Sequence, residues 1–483
     1  MFLRLLLPAI VVTAPVFALS PVQDSSTIPV PQRGMEPRHA QKAAAAKAHS
    51  YQVLLVGDSL THELEKPQYK AVWEKFFGDR DALNLGYSGG RTENTIWNLQ
   101  NGELENQKPK LITLLIGTNN SDDANYPVVH TPEQILKGTE GILKVIREKC
   151  PDTKVLLVRI FPRENVYQHR NGTERGSAAK RAQVNLEAGE LIASLADNKT
   201  VFSIDANHVF LKPDGKLDPA LVPDLLHPSP AGAEKWLGAI EPAVAKLLGE
   251  QPRVSPPANN AIVPVSKLEN DSYDWWKRHA AILANPVTNP RIVLLGDSIT
   301  HFWGGLPQSP GTPPRGPAAF EKTFGGQAVL NLGFGWDRTQ NVLWRLDNGE
   351  LNGLRPEFVV LNIGTNNFTG TKNARASTPE ETAAGIREII LRVRAKSPAS
   401  KIILMGVFPR GKSPAAPERA IISALNSLLA KEWTSVPGVT FLDIGAKFLA
   451  SDGSISPAMM PDGLHPNEKA YAIWGEALAP LIR

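Results

Sequence analysis

One short pattern occurs twice in this chain, and it constrains most of what the chain can be. Val53-Leu54-Leu55-Val56-Gly57-Asp58-Ser59-Leu60-Thr61-His62 returns, 239 residues on, as Ile292-Val293-Leu294-Leu295-Gly296-Asp297-Ser298-Ile299-Thr300-His301. Each copy is an apolar, β-branched run cut off by Gly-Asp-Ser. That reads as a strand buried on both faces, ending in a tight turn that carries a serine. Open α/β folds bind ligands at the carboxyl edge of the sheet, where such a serine would stand. Gly-Asp-Ser is also ordinary turn chemistry before a helix, with Ser as the N-cap. A single copy does not choose between the two.

The rest of the chain alternates strand and helix. In the first half, strands are predicted at 52–56, 83–85, 111–116, 154–160 and 201–205. Helices are predicted at 40–48, 92–99, 131–149, 178–196 and 231–248. Thr131-Pro132-Glu133 is a helix start and Pro151 a helix stop. Such alternation argues for an α/β fold, a parallel sheet with helices on both faces.

The whole order then repeats. Asn84-Leu85-Gly86 and Gly117-Thr118-Asn119-Asn120 return as Asn331-Leu332-Gly333 and Gly364-Thr365-Asn366-Asn367, both at an offset of 247. Pro223-Asp224-Leu225-Leu226-His227-Pro228 returns as Pro461-Asp462-Gly463-Leu464-His465-Pro466 at an offset of 238. A Gly/Pro-rich loop at 304–317 lengthens the second copy, and the loop after Arg163 lengthens the first. The chain therefore reads as a flexible tether at 19–36, a domain at 37–249, a Pro-rich linker at 250–266 and a second domain at 267–483. Apolar positions drift between the copies, as Val56 against Leu295 shows, while the polar residues at the strand ends do not.

The N-terminus adds a compartment. Arg4 precedes an apolar run over 5–19, with Val16-Phe17-Ala18 as a small-residue cleavage site, the form of a secretory signal peptide over 1–18. Pro8 and Pro15 interrupt the run, which is short for a membrane anchor. The single cysteine, Cys150, allows no intrachain disulfide. Export without disulfides fits a secreted or periplasmic protein of bacterial type. A net charge of +4 over 483 residues, with no aromatic-laced basic run, argues against a nucleic-acid partner. No His/Asp/Glu cluster has metal-ligand spacing, so neither metal nor cofactor is expected.

Ser59, Asp224 and His227 are the residues to weigh together, with Ser298, Asp462 and His465 as their repeats. A serine hydroxyl is a weak nucleophile that needs a general base, and a histidine oriented by a carboxylate supplies one. Asp-x-x-His on one loop lets the carboxylate reach the imidazole of its own segment. The competing reading is a capping loop before Pro228. Acyl transfer also needs donors for a developing oxyanion. Asn119 and Asn366 offer side-chain amides just past a buried strand, whereas Asn120 and Asn367 fit an Asx-turn. Gly86-Tyr87-Ser88-Gly89-Gly90 matches G-x-S-x-G, but the second copy, Gly333-Phe334-Gly335-Trp336-Asp337, has no serine. His62 and His301 read as pocket-wall or helix-start residues. Arg163, Arg410, Arg91 and Arg338 are either substrate contacts or structural ion pairs.

These blocks resemble the GDSL-type (SGNH) hydrolases, twice over and almost end to end. The stretch from Asn331-Leu332-Gly333-Phe334 through Arg338-Thr339-Gln340-Asn341-Val342-Leu343-Trp344-Arg345-Leu346 to Asn348-Gly349-Glu350-Leu351 is similar to the platelet-activating-factor acetylhydrolase catalytic subunits of that family. The resemblance implies two tandem flavodoxin-like domains, each a parallel five-stranded sheet of order 2-1-3-4-5 between helices. It implies an oxyanion hole from the Ser59 N–H, the Gly89 N–H and the Asn119 side chain. In the second domain the corresponding positions are Ser298, Trp336 and Asn366. Trp336 departs from the family pattern: a tryptophan does not take glycine-only backbone angles freely, and its ring is expected to crowd the pocket and shift substrate preference. The function expected is an exported serine esterase acting on short acyl groups, acetyl above all, with a small acyl ester or an acetylated carbohydrate as substrate and no stable membrane insertion. A phospholipid-type acetylhydrolase or a lipase is the alternative within enzymes. One active domain beside a glycan-binding or scaffolding copy is the alternative outside them.

Overall fold

The computed structural model describes residues 24–483. The expected signal peptide and the first residues of the expected tether lie outside them.

The first domain runs α1 (Glu36–Ala48), β1 (Val53–Gly57), α2 (Ser59–His62), α3 (Lys70–Phe77), β2 (Ala82–Gly86), α4 (Thr92–Asn98), β3 (Leu111–Leu115), α5 (Pro132–Lys149), β4 (Lys154–Val158), α6 (Ala178–Ala193), β5 (Val201–Ile204) and α7 (Pro230–Leu248). The second runs α8 (Trp275–Leu283), β6 (Ile292–Gly296), α9 (Ser298–His301), α10 (Pro317–Phe324), β7 (Val329–Gly333), α11 (Thr339–Asp347), β8 (Phe358–Asn362), α12 (Pro379–Lys396), β9 (Lys401–Met405), α13 (Pro417–Trp433), β10 (Val439–Leu442) and α14 (Glu468–Leu478). Both sheets are parallel with five strands, ordered β2-β1-β3-β4-β5 and β7-β6-β8-β9-β10. This is the flavodoxin-like order, with β1 and β6 at the switch point where the strand order reverses.

The apolar runs account for this. In β1, Val53 and Leu55 enter the core under α3 and α7, while Leu54 and Val56 enter the opposite core under α4 and α5. In β6, Ile292 and Leu294 face α10 and α14, and Val293 and Leu295 face α11 and α12. Successive side chains of a strand point to opposite faces, so a continuous apolar run requires cover on both. Helix α5 starts on the capping box that Thr131-Pro132-Glu133 announces, with Thr131 Oγ1 accepting from the Gln134 N–H. Helix α3 was missing from the expectation. It spans only 8 residues, with Val72, Phe76 and Phe77 buried, too short for a helical period to stand out.

The tether and the linker need correction. Residues from Asp24 onward are docked rather than free: Ser26 is buried, its Oγ donates to Gln134 O at 2.7 Å, and its carbonyl accepts from Thr92 Oγ1 at 3.0 Å. The linker repeats this in the second domain. Ala261 is buried, and its carbonyl accepts from Thr339 Oγ1 at 2.8 Å. Each Pro-rich stretch ends as an arm of the domain that follows, because its backbone groups complete the packing of α4 with α5 or of α11 with α12.

The domains meet asymmetrically. The β5 end of the first packs on α12 of the second, with Lys396 Nζ 3.5 Å from Asp205 Oδ2, Arg355 Nη2 2.5 Å from Glu190 Oε2 and His208 Nε2 3.7 Å from Glu388 Oε2. The matching face of the second domain, between α13 and β10, is open and holds a cavity of about 370 Å³ lined by Ile422, Asn426, Phe441 and Asp443.

Candidate active site

The switch-point strand ends at Gly57, where a side chain has no room: a Cβ there would stand 2.6 Å from Leu115 O on the neighbouring strand. Asp58 caps the single-turn α2, its Oδ1 accepting from the Leu60 N–H at 3.0 Å. Ser59 is the first residue of that turn. Asn84, in the middle of β2, pins the turn by donating to Thr61 O at 2.7 Å while its own Oδ1 accepts from the Gly86 N–H. Asn331 does the same to Thr300 O and the Gly333 N–H.

The loop after β5 brings the other two residues to the same edge. Ser59 Oγ lies 3.0 Å from His227 Nε2, and His227 Nδ1 lies 2.7 Å from Asp224 Oδ2. In the second domain, Ser298 Oγ lies 2.9 Å from His465 Nε2, and His465 Nδ1 lies 2.7 Å from Asp462 Oδ2. The second oxygen of each carboxylate accepts from the N–H groups of its own loop, those of Leu226 and His227 or of Leu464 and His465. The capping-loop reading is thereby part of the site: the aspartate folds the loop and holds the imidazole at once. Desolvation opposes ionisation of Asp462, but hydrogen bonds from His465 hold its pKa down to about 2. Burial lowers the His465 pKa against the pull of Asp462, and Arg315 from the 304–317 loop lowers it further.

Asn119 and Asn366 lie on the loops that follow β3 and β8, at the same edge of the sheet as these serines. Each donates one amide hydrogen across the site, Asn119 to Gly90 O and Asn366 to Asp337 O, both at 3.0 Å. An NH₂ group has a second hydrogen to give. Asn120 and Asn367 depart from the expected Asx-turn. Asn120 Oδ1 accepts from the Thr92 N–H at 3.1 Å and Asn367 Oδ1 from the Thr339 N–H at 3.0 Å, so each caps a distant helix.

The glycine-tryptophan exchange is resolved by the backbone. Gly89 has φ +76° and Trp336 has φ +64°, so the tryptophan takes the left-handed conformation that its position demands. The residue is 40% exposed rather than packed in the core. The reverse exchange occurs on the histidine loop, where Leu225 (φ +59°) stands opposite Gly463 (φ +74°). A bulky residue in this region is strained, typically at functional sites.

The other named residues fall into structural places. Ser88 does meet a histidine: its Oγ lies 3.0 Å and its N–H 3.2 Å from His62 Nδ1. Among the described residues no carboxylate hydrogen-bonds that ring, so the G-x-S-x-G match lacks the third member of a triad. His301 Nε2 lies 3.0 Å from Ser309 Oγ. Arg163 is buried, donating to Thr118 O and Asn165 Oδ1, 3.6 Å from Asp122. Arg410 donates to Thr365 O and Thr369 Oγ1. Arg91 lies 3.1 Å from Glu93, and Arg338 donates to Thr369 O. Sequence reasoning missed Tyr126, whose hydroxyl donates to Gly89 O at 2.8 Å, and Gln32, whose amide donates to Ser88 O at 2.7 Å. Neither residue has a repeat in the second half, so the internal comparison gave no signal for them. Among the described residues, no group of three or more His, Cys, Asp or Glu is placed to hold a metal, and no helix is long and apolar enough to cross a membrane.

Comparison with known proteins follows the same division. The model of the GDSL-like lipase/acylhydrolase family matches residues 55–235 and again 294–473. Platelet-activating factor acetylhydrolase IB subunit alpha2 of Gallus gallus is 33% identical over 227 residues, 47% of this chain and 91% of that protein. The alpha1 subunit of Homo sapiens is 32% identical over 237 residues, 49% of this chain and 92% of that protein. Among solved structures, a GDSL-like lipase from Bacteroides thetaiotaomicron is 22% identical over 43% of this chain and 96% of its own, with a TM-score of 0.35. The acetylxylan esterase Axe2 from Geobacillus stearothermophilus is 19% identical over 41% of this chain and 95% of its own, with a TM-score of 0.33.

Proposed function

The chain belongs to the GDSL-like lipase/acylhydrolase family and is a hydrolytic esterase, and from that premise we propose that both domains hydrolyse short acyl esters, acetyl above all, through Ser59 and Ser298. The observation that carries this is the unbroken hydrogen-bond chain from serine through histidine to aspartate, present in both domains with every link between 2.7 and 3.0 Å.

The chemistry follows from that chain. His227 Nε2 takes the hydroxyl proton as Ser59 Oγ attacks the ester carbonyl, and Asp224 stabilises the imidazolium that forms. The tetrahedral oxyanion is held by the Ser59 N–H, the Gly89 N–H and the free Asn119 amide hydrogen; one such donor is worth about 10²–10³ in rate. Collapse expels the alcohol, to which His227 returns the proton, and leaves an acyl-serine. Water then attacks with His227 again as base, releasing the acid and restoring the serine. Ser298, His465, Asp462, Asn366 and the Trp336 N–H repeat these roles. Trp336 serves as well as Gly89 because the hole uses its backbone, which has the same hand.

Acetylated carbohydrate is the substrate we favour, and export is the compartment, for which Arg4 and the apolar run over 5–19 are the support. Ser59→Ala with Ser298→Ala is expected to abolish hydrolysis of 4-nitrophenyl acetate, and unchanged activity in that double variant would overturn the reading. The names of the curated relatives favour a second reading, an acetylhydrolase of phospholipid type; a series of acyl lengths and headgroups separates the two. If the second half, expressed alone, binds glycan and turns over no ester, it is a binding module.

A further inference from the structure

The two oxyanion loops of the first domain meet at a buried histidine that the mechanism does not use. His130 ends the loop between β3 and α5 and is 3% exposed. Its backbone N–H donates to Asn120 O at 2.8 Å, which brings it back to the Asn119-Asn120 pair. Its ring Nδ1 faces two donors, Arg91 Nη2 at 2.7 Å and Asn120 Nδ2 at 2.9 Å. A guanidinium only donates. The Thr92 N–H donates to Asn120 Oδ1, so the nitrogen is the end of that amide turned to His130. Nδ1 is therefore an acceptor. The ring proton sits on Nε2, which donates to Ser25 Oγ at 2.8 Å. Only the neutral ring satisfies these partners.

Each partner leads to an oxyanion donor. The Arg91 guanidinium lies over the Tyr126 ring, 4.8 Å from its centroid, and the Tyr126 hydroxyl holds Gly89 O at 2.8 Å. Asn120 ties the β3 loop to the first turn of α4 through Thr92, and its neighbour Asn119 donates to Gly90 O. In the second domain a serine takes the place of the histidine. The Ser377 N–H donates to Asn367 O at 2.7 Å, as that of His130 does to Asn120 O. The Ser377 hydroxyl lies 3.5 Å from the Asn367 amide, and Arg338 donates instead to Arg375 O and Thr369 O. Those acceptors do not titrate.

We propose that His130 is a positioning residue of the first oxyanion hole: neutral, it accepts from Arg91 and Asn120 and fixes the loops that carry Gly89 and Asn119, and a proton taken up on Nδ1 turns that acceptor into a donor and releases both. The inference rests on the esterase reading and adds a pH-dependent support to one of the two domains. The charged groups that face the ring are Arg91 and Glu93 from α4 and Asp24 from the N-terminal arm. Burial and Arg91 set the His130 pKa below the ordinary 6.5, against the pull of Glu93 and Asp24. The support is thus intact at neutral pH and fails on the acid side.

The test uses the full chain. Ser298→Ala leaves the first domain to hydrolyse 4-nitrophenyl acetate, and Ser59→Ala leaves the second. Protonation of His227 or His465 alone lowers kcat/KM about tenfold per pH unit on the acid limb, and a second proton on His130 steepens the foot of that limb to about a hundredfold per unit. The steeper limb is expected in the first domain and the shallower one in the second. His130→Asn offers an acceptor that does not titrate, so it is expected to give the first domain the shallower limb. His130→Leu removes the acceptor and is expected to lower kcat by about tenfold with KM unmoved, a part of the roughly 10²–10³ that one oxyanion donor supplies. His130→Asn should recover most of that loss. A shallow first-domain limb overturns the proposal, as does a steep one that survives His130→Asn or coincides with the fluorescence change of acid unfolding. If His130→Leu does not fold, the pH profiles of the parent and of His130→Asn decide. If the Ser59→Ala, Ser298→Ala variant still hydrolyses the ester, the esterase reading itself fails; if it is inactive and the first-domain limb is shallow, the role of His130 alone fails.

Discussion

Arg345 Nε donates to Asp337 Oδ2 at 2.8 Å, with both side chains fully buried beneath the loop that holds Trp336. Trp275 donates to the other Asp337 oxygen at 2.9 Å, and Glu350 takes the far end of the guanidinium. In the first domain the corresponding residues are Gly90 and Asn98, whose side chains cannot form such a clamp. The clamp anchors the residue next to the strained tryptophan, so strain and restraint are adjacent in sequence.

Removing that clamp should loosen the second oxyanion loop and leave the first domain untouched. Arg345→Met leaves two carboxylates buried without a cation, at a cost of about 3–5 kcal/mol. In a Ser59→Ala background we expect lowered kcat and a lower unfolding midpoint for the second domain. In a Ser298→Ala background, a first-domain activity unchanged by Arg345→Met is the control.

The pH profile of the second domain should be displaced towards acid. In the proposed mechanism His465 acts as a base when neutral, and its pKa lies below the ordinary 6.5. Activity must therefore rise with pH through a midpoint below 6.5 in the Ser59→Ala variant. Arg315→Gln removes one of the charges that depress this pKa, so the limb should move up. A limb that stays put would exclude Arg315 as a contributor.

Asp58 and Asp297 are buried with one oxygen unpartnered, and desolvation pushes both up to about 7. Their folded value exceeds the ordinary 3.8. Folding therefore favours the protonated form, and the associated stability is greatest below that value and lost as pH rises towards 7. The loss is at most about 1.4 kcal/mol per unit for each group. Asp58→Asn with Asp297→Asn should flatten the fall in urea midpoint between pH 4 and pH 8.

Lys396 carries the contact between the domains. It is buried, 3.5 Å from Asp205 and donating to Asn352 Oδ1 at 2.8 Å, while Arg159 holds the same aspartate at 2.8 Å. Lys396→Met should weaken the domain pair by about 3 kcal/mol. Calorimetry would register this as one unfolding transition separating into two.

Much of this molecule could be read from the residues because the chain states its design twice. The five strands of each sheet and the Ser59, Asn119, Asp224 and His227 set come from short-range signals: apolar runs, turn residues, and polar residues that did not drift while Val56 and Leu295 did; the strand order was implied only by the family resemblance. What the repeat could not reveal was whatever the two copies do differently. Tyr126, Gln32, Arg315 and the Arg345 clamp lack a matching partner in the other half. The docking of residues 24–36 escaped because a Pro-rich, Ser-rich stretch has the composition of a linker, and only backbone contacts such as that of Ser26 with Gln134 make it an arm.

The sequence by itself determined the two α/β domains, the strand-end residues and the distinction between Gly89 and Trp336, since apolar period and turn chemistry are local properties of the chain. Only the tertiary structure decided that Trp336 keeps the left-handed backbone of Gly89 and stands exposed. The energy that holds it there comes from contacts distant in sequence, Asp337 to Arg345 and Trp275, and Asn366 back to Asp337.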